Sequence, residues 1–127
     1  MIRRLAIALI LLGIAIPALA TQPGDVLIGD DVVLRVRFPA GGYTVEQRAE
    51  QVMLRINELL GSQPFDPSDV KVGVVNKECV VLIGGNVIIT ADSATAKYNK
   101  STPQQLAEIW AANLRRVIPQ AKNKSVG

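Results

Sequence analysis

Residues 70–90 read VKVGVVNKECVVLIGGNVIIT, and the turns punctuating this stretch decide the fold. Val70 to Val75 sets Val70, Val72 and Val74 on one face of an extended strand. Asn76-Lys77 predicts a tight turn. Cys79 to Ile83 is almost wholly apolar, as expected of a central strand covered on both faces. Gly84-Gly85-Asn86 predicts a second hairpin turn, after which Val87 to Thr90 pairs back. The stretch is a run of consecutive antiparallel strands with no room for a crossover helix.

Upstream, Val32 to Phe38 alternates. Val32, Leu34, Val36 and Phe38 point one way, and Val33, Arg35 and Arg37 the other, predicting a half-buried strand with a solvated basic face. Pro39-Ala40-Gly41-Gly42 breaks it. Thr44 to Leu60 then carries an apolar stripe at helical spacing through Val45, Ala49, Val52, Met53, Ile56, Leu59 and Leu60. Thr44 and Gln47 form a T-x-x-Q capping box at its start, and Gly61 is placed to end it. Ser62 to Asp69, with Pro64 and Pro67, is a turn-rich connection.

Downstream, Asp92 can cap a short helix over Ser93 to Tyr98, closed by Asn99. A second long helix begins at Thr102, with Pro103 at its first position and Gln105 completing another T-x-x-Q box. Its stripe is Leu106, Trp110, Leu114, Val117 and Ile118, and Pro119 is expected to stop it. The order β-α-β-β-β-(short α)-α predicts a two-layer α+β sandwich, in which two amphipathic helices cover a four-stranded, mainly antiparallel sheet. The domain spans residues 32–119, with residues 21–31 as a leader and 120–127 as a flexible tail.

The first 20 residues differ in character. Arg3-Arg4 is followed by an apolar run from Leu5 to Ile16, then Pro17 and the small-x-small triplet Ala18-Leu19-Ala20. This is the three-part form of a secretory signal peptide cleaved after Ala20. A retained membrane anchor is the alternative, but the stretch from Leu5 to Ala20 is 16 residues, short of the ~20 a spanning helix needs. The chain is thus expected in the periplasm or outside the cell, with no stable span once the signal is removed. The whole chain has 14 basic and 11 acidic residues, and loss of Arg3 and Arg4 leaves 12 against 11, a net charge of +1. So small an excess argues against a nucleic-acid partner.

The residue inventory restricts chemistry. There is no histidine, which removes His-based nucleophile activation and His-ligated metals, and one cysteine allows no internal disulfide. Cys79 lies in an apolar run and reads as a buried, inert thiol. Asp30-Asp31 and Asp66 with Asp69 lack a calcium-loop pattern. Gly41-Gly42 lacks the remaining glycines and the Lys-Ser/Thr of a phosphate loop. Trp110 falls on a helix stripe and is expected in the core. No catalytic residue, cofactor or metal is assigned.

Several segments together carry a resemblance. They are Tyr43-Thr44-Val45-Glu46-Gln47-Arg48-Ala49-Glu50, the strands about Gly84-Gly85-Asn86 to Thr90, then Ala91-Asp92-Ser93-Ala94, then Leu106-Ala107. This pattern resembles the extracytoplasmic N-terminal region ahead of the pore in some bacterial small-conductance mechanosensitive (MscS-like) channel proteins. There, an E-R-A helix is followed by hairpins, a T-x-x-D-A-like segment and an L-A helix. The likeness covers roughly Val26 to Ile118. It implies a stand-alone version of an envelope module without the pore, and conduction does not carry over.

The expected role is an exported, non-enzymatic accessory or interaction domain whose partner is an envelope or membrane protein. A small-ligand-binding module using a crevice between helix and sheet is the alternative. The expected contact surface is either the strand face bearing Arg35 and Arg37 or the loop Gly41-Gly42-Tyr43. Oligomeric state is not legible in the sequence.

Overall fold

The computed structural model describes residues 22–62 and 64–126, with side chains through Ile118. The expected signal peptide at residues 1–20 lies outside the described residues. Strands β1 (Asp25–Ile28) and β2 (Asp31–Arg35) come first, followed by helix α1 (Val45–Ser62). After a helical turn at Pro67–Asp69 come β3 (Val70–Val75), β4 (Glu78–Ile83) and β5 (Asn86–Thr90), then α2 (Ser93–Tyr98) and α3 (Pro103–Val126).

The architecture is α+β, but the strands form two antiparallel sheets, β1-β2 and β3-β4-β5, in place of the expected single four-stranded sheet. The difference begins in the stretch read as a leader. Val26, Leu27 and Ile28 are too few to show a period, yet they form β1 and pair with β2. The strand expected over 32–38 is satisfied by this hairpin partner and never joins β3-β4-β5.

The Asn76-Lys77 turn forms as expected, both residues taking positive φ, which suits the twist of a two-residue hairpin. β4 is the central strand, with Val80, Val81 and Ile83 buried. Cys79, expected to be buried, is only half-buried. It pairs with Val74, itself 71% exposed, at the end of the sheet nearest the turn.

Both capping boxes are present. Thr44 Oγ1 accepts from the Gln47 amide at 3.1 Å and Gln47 Oε1 from the Thr44 amide at 3.0 Å. Thr102 and Gln105 repeat the pattern at 3.1 and 2.9 Å. The expected α3 stripe, Leu106, Trp110, Leu114, Val117 and Ile118, is buried; of the α1 stripe Ala49, Val52 and Ile56 are buried, and Val45, Met53, Leu59 and Leu60 are half-buried against the core. α3 packs on β2, β3 and β4, while α1 packs on β1 and β5. Phe65, in the proline-rich connection, joins the same core.

α3 runs through Pro119 to Val126, past the expected stop. Proline's fixed φ is compatible with a helix; its cost is one hydrogen bond to the preceding turn and the crowding of its ring against the carbonyl four residues back. That turn is held independently by buried Leu114, Val117 and Ile118.

The alternation expected of β2 also fails, for a clear reason. Val26 pairs with Leu34 and Leu27 with Val32, so Val33 is the extra residue of a β-bulge. Val33 is completely buried rather than solvated, and its carbonyl accepts from Asn113 Nδ2 of α3 at 2.9 Å. β5 repeats the device. Val81 pairs with Ile89 and Leu82 with Val87, leaving Ile88 extra. Ile88 is fully buried, and its carbonyl accepts from Arg55 Nη1 of α1 at 3.0 Å.

Candidate functional site

Arg48 interrupts the apolar face of α1 between Val45, Ala49 and Val52, and it is buried there. Burying a guanidinium is tolerable only when its donors are satisfied. Nη1 donates to the Phe38 carbonyl at 2.8 Å and to Asp92 Oδ1 at 3.2 Å, and Nη2 donates to the Thr90 carbonyl at 3.3 Å. One side chain thereby ties the exit of β2, the end of β5 and the start of α2 to α1.

Asp92 is equally committed. It caps α2, accepting from the Thr95 amide at 2.8 Å and from the Thr95 hydroxyl at 3.0 and 2.8 Å. Thr95 is completely buried. The expected capping role of Asp92 therefore holds, and its pairing with Arg48 is the part the local sequence concealed.

Above this pair opens a cleft of about 290 Å³ between α1 and β5, with Gly41, Tyr43, Gln51, Arg55 and Glu78 on its rim. Its outer lip is a turn whose chemistry follows directly from its residues. Ala40 and Tyr43 exchange two backbone hydrogen bonds, at 3.1 and 2.9 Å, across Gly41 and Gly42. Both glycines hold positive φ, 60° and 84°, which L side chains resist. A built Cβ at either would meet nothing within 4 Å, so the requirement is conformational and not steric. The turn presents Tyr43 with 47% of its surface exposed.

The expected surface residues divide between two places. Gly41, Gly42 and Tyr43 belong to this cleft and its lip. Arg35 and Arg37 border a different cavity, of about 440 Å³, beside Trp110 and Asn113. Arg35 pairs with buried Asp25, Nε to Oδ1 at 3.2 Å. The Arg37 guanidinium lies 5.2 Å from the centre of the Tyr98 ring, which packs edge-on against Phe38 at 6.0 Å. Both arginines thus have partners within the fold, while the Arg35 side chain stays 42% exposed.

Among the described residues, no group of three His, Cys, Asp or Glu side chains is placed to hold a metal ion. No helix among them is long and apolar enough to cross a membrane.

The polar side chains that tie the two long helices to the strands were missed in the sequence, although a signal was there. Arg48, Arg55 and Asn113 each fall three residues after an apolar stripe position: Val45, Val52 and Trp110. A polar side chain recurring inside a stripe at i+3 is facing the core or its margin.

No curated protein and no solved structure matches the chain. A family model does, over residues 25–121, from the first residue of β1 into the last turns of α3. The chain therefore belongs to the family described as a domain of unknown function, DUF8459.

Proposed function

We propose that this chain is an exported, non-enzymatic accessory domain of the bacterial envelope, and that it binds a partner protein through the Tyr43 lip and the cleft behind it. The observation carrying this reading is the state of the cleft floor. Arg48 and Asp92 are bonded to one another and to backbone, so they stabilise the site's shape and present no free acid, base or nucleophile. Outward of them, on the hydrogen-bonded Gly41-Gly42 turn, stands a half-exposed aromatic ring, a common kind of protein-binding anchor, with exposed Arg55 and Glu78 beside it on the rim. The signal-like leader supports an envelope location. The resemblance to a channel's extracytoplasmic region supports an envelope or membrane protein as partner. Notably, Arg48 and Asp92 are among the residues carrying that resemblance.

The test replaces Tyr43 with a photo-crosslinking phenylalanine analogue in cells, with Glu50, exposed on α1, as the control position. A discrete envelope-protein adduct from position 43 and none from position 50 is expected. Absence of any adduct at position 43, or equal adducts at both, overturns the reading.

The volume of the cleft favours a second reading, a small-ligand module. Under it, a panel of polar metabolites would raise the melting temperature of the wild type, and Tyr43→Ala would abolish that rise.

A further inference from the structure

The two edges of the β3-β4-β5 sheet are treated differently. On the β5 edge, the Ile88 carbonyl is taken by Arg55 and the Thr90 carbonyl by Arg48. On the β3 edge, only the first residue is covered, the Val70 carbonyl accepting from Arg115 Nε and Nη2 at 3.0 and 2.8 Å. A two-residue turn makes its closing pair, Val75 with Glu78, the hydrogen-bonded one. Alternation from there gives Gly73 and Lys71 to the β4 ladder and turns the N–H and C=O groups of Val70, Val72 and Val74 outward. The Arg115 contact at Val70 agrees with this register. Beyond it, no other strand among the described residues pairs with the β3 edge. Val74, on that edge, is the most exposed large hydrophobic residue among those described, at 71%.

We propose that β3 pairs antiparallel with β3 of a second copy of this chain about a two-fold axis at Gly73, joining the two sheets into one of six strands. This occupant follows from self-complementarity. An axis at Gly73 sets Val72 of each copy opposite Val74 of the other, and these are the residues with outward-facing backbone groups. The exposed Val74 side chain is then covered by a valine. On the opposite face, Lys71 falls opposite Val75 of the second copy, one strand from that copy's Glu78. Two strand spacings separate them, about 10 Å between Cα atoms, within the combined reach of lysine and glutamate. Lys71 and Glu78 are both exposed, and neither makes an ion pair among the described residues. Gly73, at the axis, brings no side chain into the contact, and Leu82 Cδ1 lies 2.9 Å from where its Cβ would stand. The proposal rests on the β3 edge and the Tyr43 site on the turn before α1; Glu78, on the rim of that cleft, is a residue the two share, and Val74→Lys tests the β3 pairing without touching it.

Sedimentation equilibrium of the exported protein tests it. The wild type is expected to be a dimer. Val74→Lys places a charge at each of two symmetry-related contacts and should weaken association by more than about a hundredfold, with the circular dichroism spectrum retained. Lys71→Glu should weaken it about tenfold, and Lys71→Glu with Glu78→Lys should restore it. A wild type that stays monomeric at several hundred micromolar overturns the proposal, as does a dimer indifferent to both Val74→Lys and Lys71→Glu. If Val74→Lys fails to fold, the charge reversal and its rescue decide alone.

Discussion

Arg48 Nη1 stands 3.2 Å from Asp92 Oδ1, joining the first turn of α1 to the residue that caps α2. The two residues are 44 positions apart, and both side chains are largely buried, 9% and 16% exposed. Each is also bonded to backbone, so the pair fixes where three chain segments meet beneath the Tyr43 lip.

Removing one partner from such a pair leaves a buried charge and several backbone acceptors unmatched. Arg48→Ala is expected to cost about 3–5 kcal/mol of unfolding free energy. Arg48→Lys should recover little, because one ammonium cannot reproduce the forked contacts to Phe38, Thr90 and Asp92. Urea denaturation of both variants measures this, and a loss under 1 kcal/mol for Arg48→Ala would show the pair to be dispensable.

The two bulges offer a comparison within one molecule. Asn113→Ala leaves the Val33 carbonyl without its side-chain donor inside the fold and should cost about 1–3 kcal/mol. Arg55 is exposed, and water can replace it at the Ile88 carbonyl, so Arg55→Ala should cost about 1 kcal/mol or less. The ordering of the two denaturation midpoints is the measurement, and a reversed order contradicts the account of the bulges.

In the core, Ile56 and Trp110 are almost fully buried in one cluster. Ile56→Ala should cost about 2–5 kcal/mol and Trp110→Ala about 3–5 kcal/mol. Glu50 is exposed, and its replacement by alanine should stay within about 0.5 kcal/mol. Denaturant melts that failed to separate Trp110→Ala from Glu50→Ala would contradict the burial of the indole.

Cys79 is half-buried beside exposed Val74. A thiol reagent should label it in native buffer at a measurable rate, slower than in denaturant. Complete protection over hours would mean the turn end of the sheet is covered in solution, as dimerisation through β3 would accomplish in part.

Intact-mass measurement of the exported product should give a chain beginning at Thr21. Recovery of the full-length chain in the membrane fraction would instead identify residues 1–20 as a retained anchor.

Much of the fold was legible because its signals are local. A capping box acts over three residues, a hairpin turn over two, and an amphipathic stripe over a few helical turns. Thr44 with Gln47, Thr102 with Gln105, Asn76-Lys77 and Asp92 each declared an element boundary that the structure contains. β1 escaped because its short apolar run sits among polar neighbours and is stabilised by β2. The candidate site was legible only in part. The Gly41-Gly42 turn could be read directly, but Arg35 and Arg37 looked free only because their partners, Asp25 and Tyr98, are supplied by other elements.

By itself, then, the sequence determined the α+β composition, the order β3-β4-β5, the starts of both long helices and the apolar stripes they turn to the core. Each follows from periodicity and caps within a single segment. Only the tertiary structure decided that the strands divide into two sheets, that Val33 and Ile88 turn inward at bulges, and that Arg48 meets Asp92. Those outcomes depend on which carbonyls and charges remain unmatched once the chain is compact. Distant side chains such as Asn113, Arg55 and Arg48 then supply the match, and no local window of sequence contains both partners.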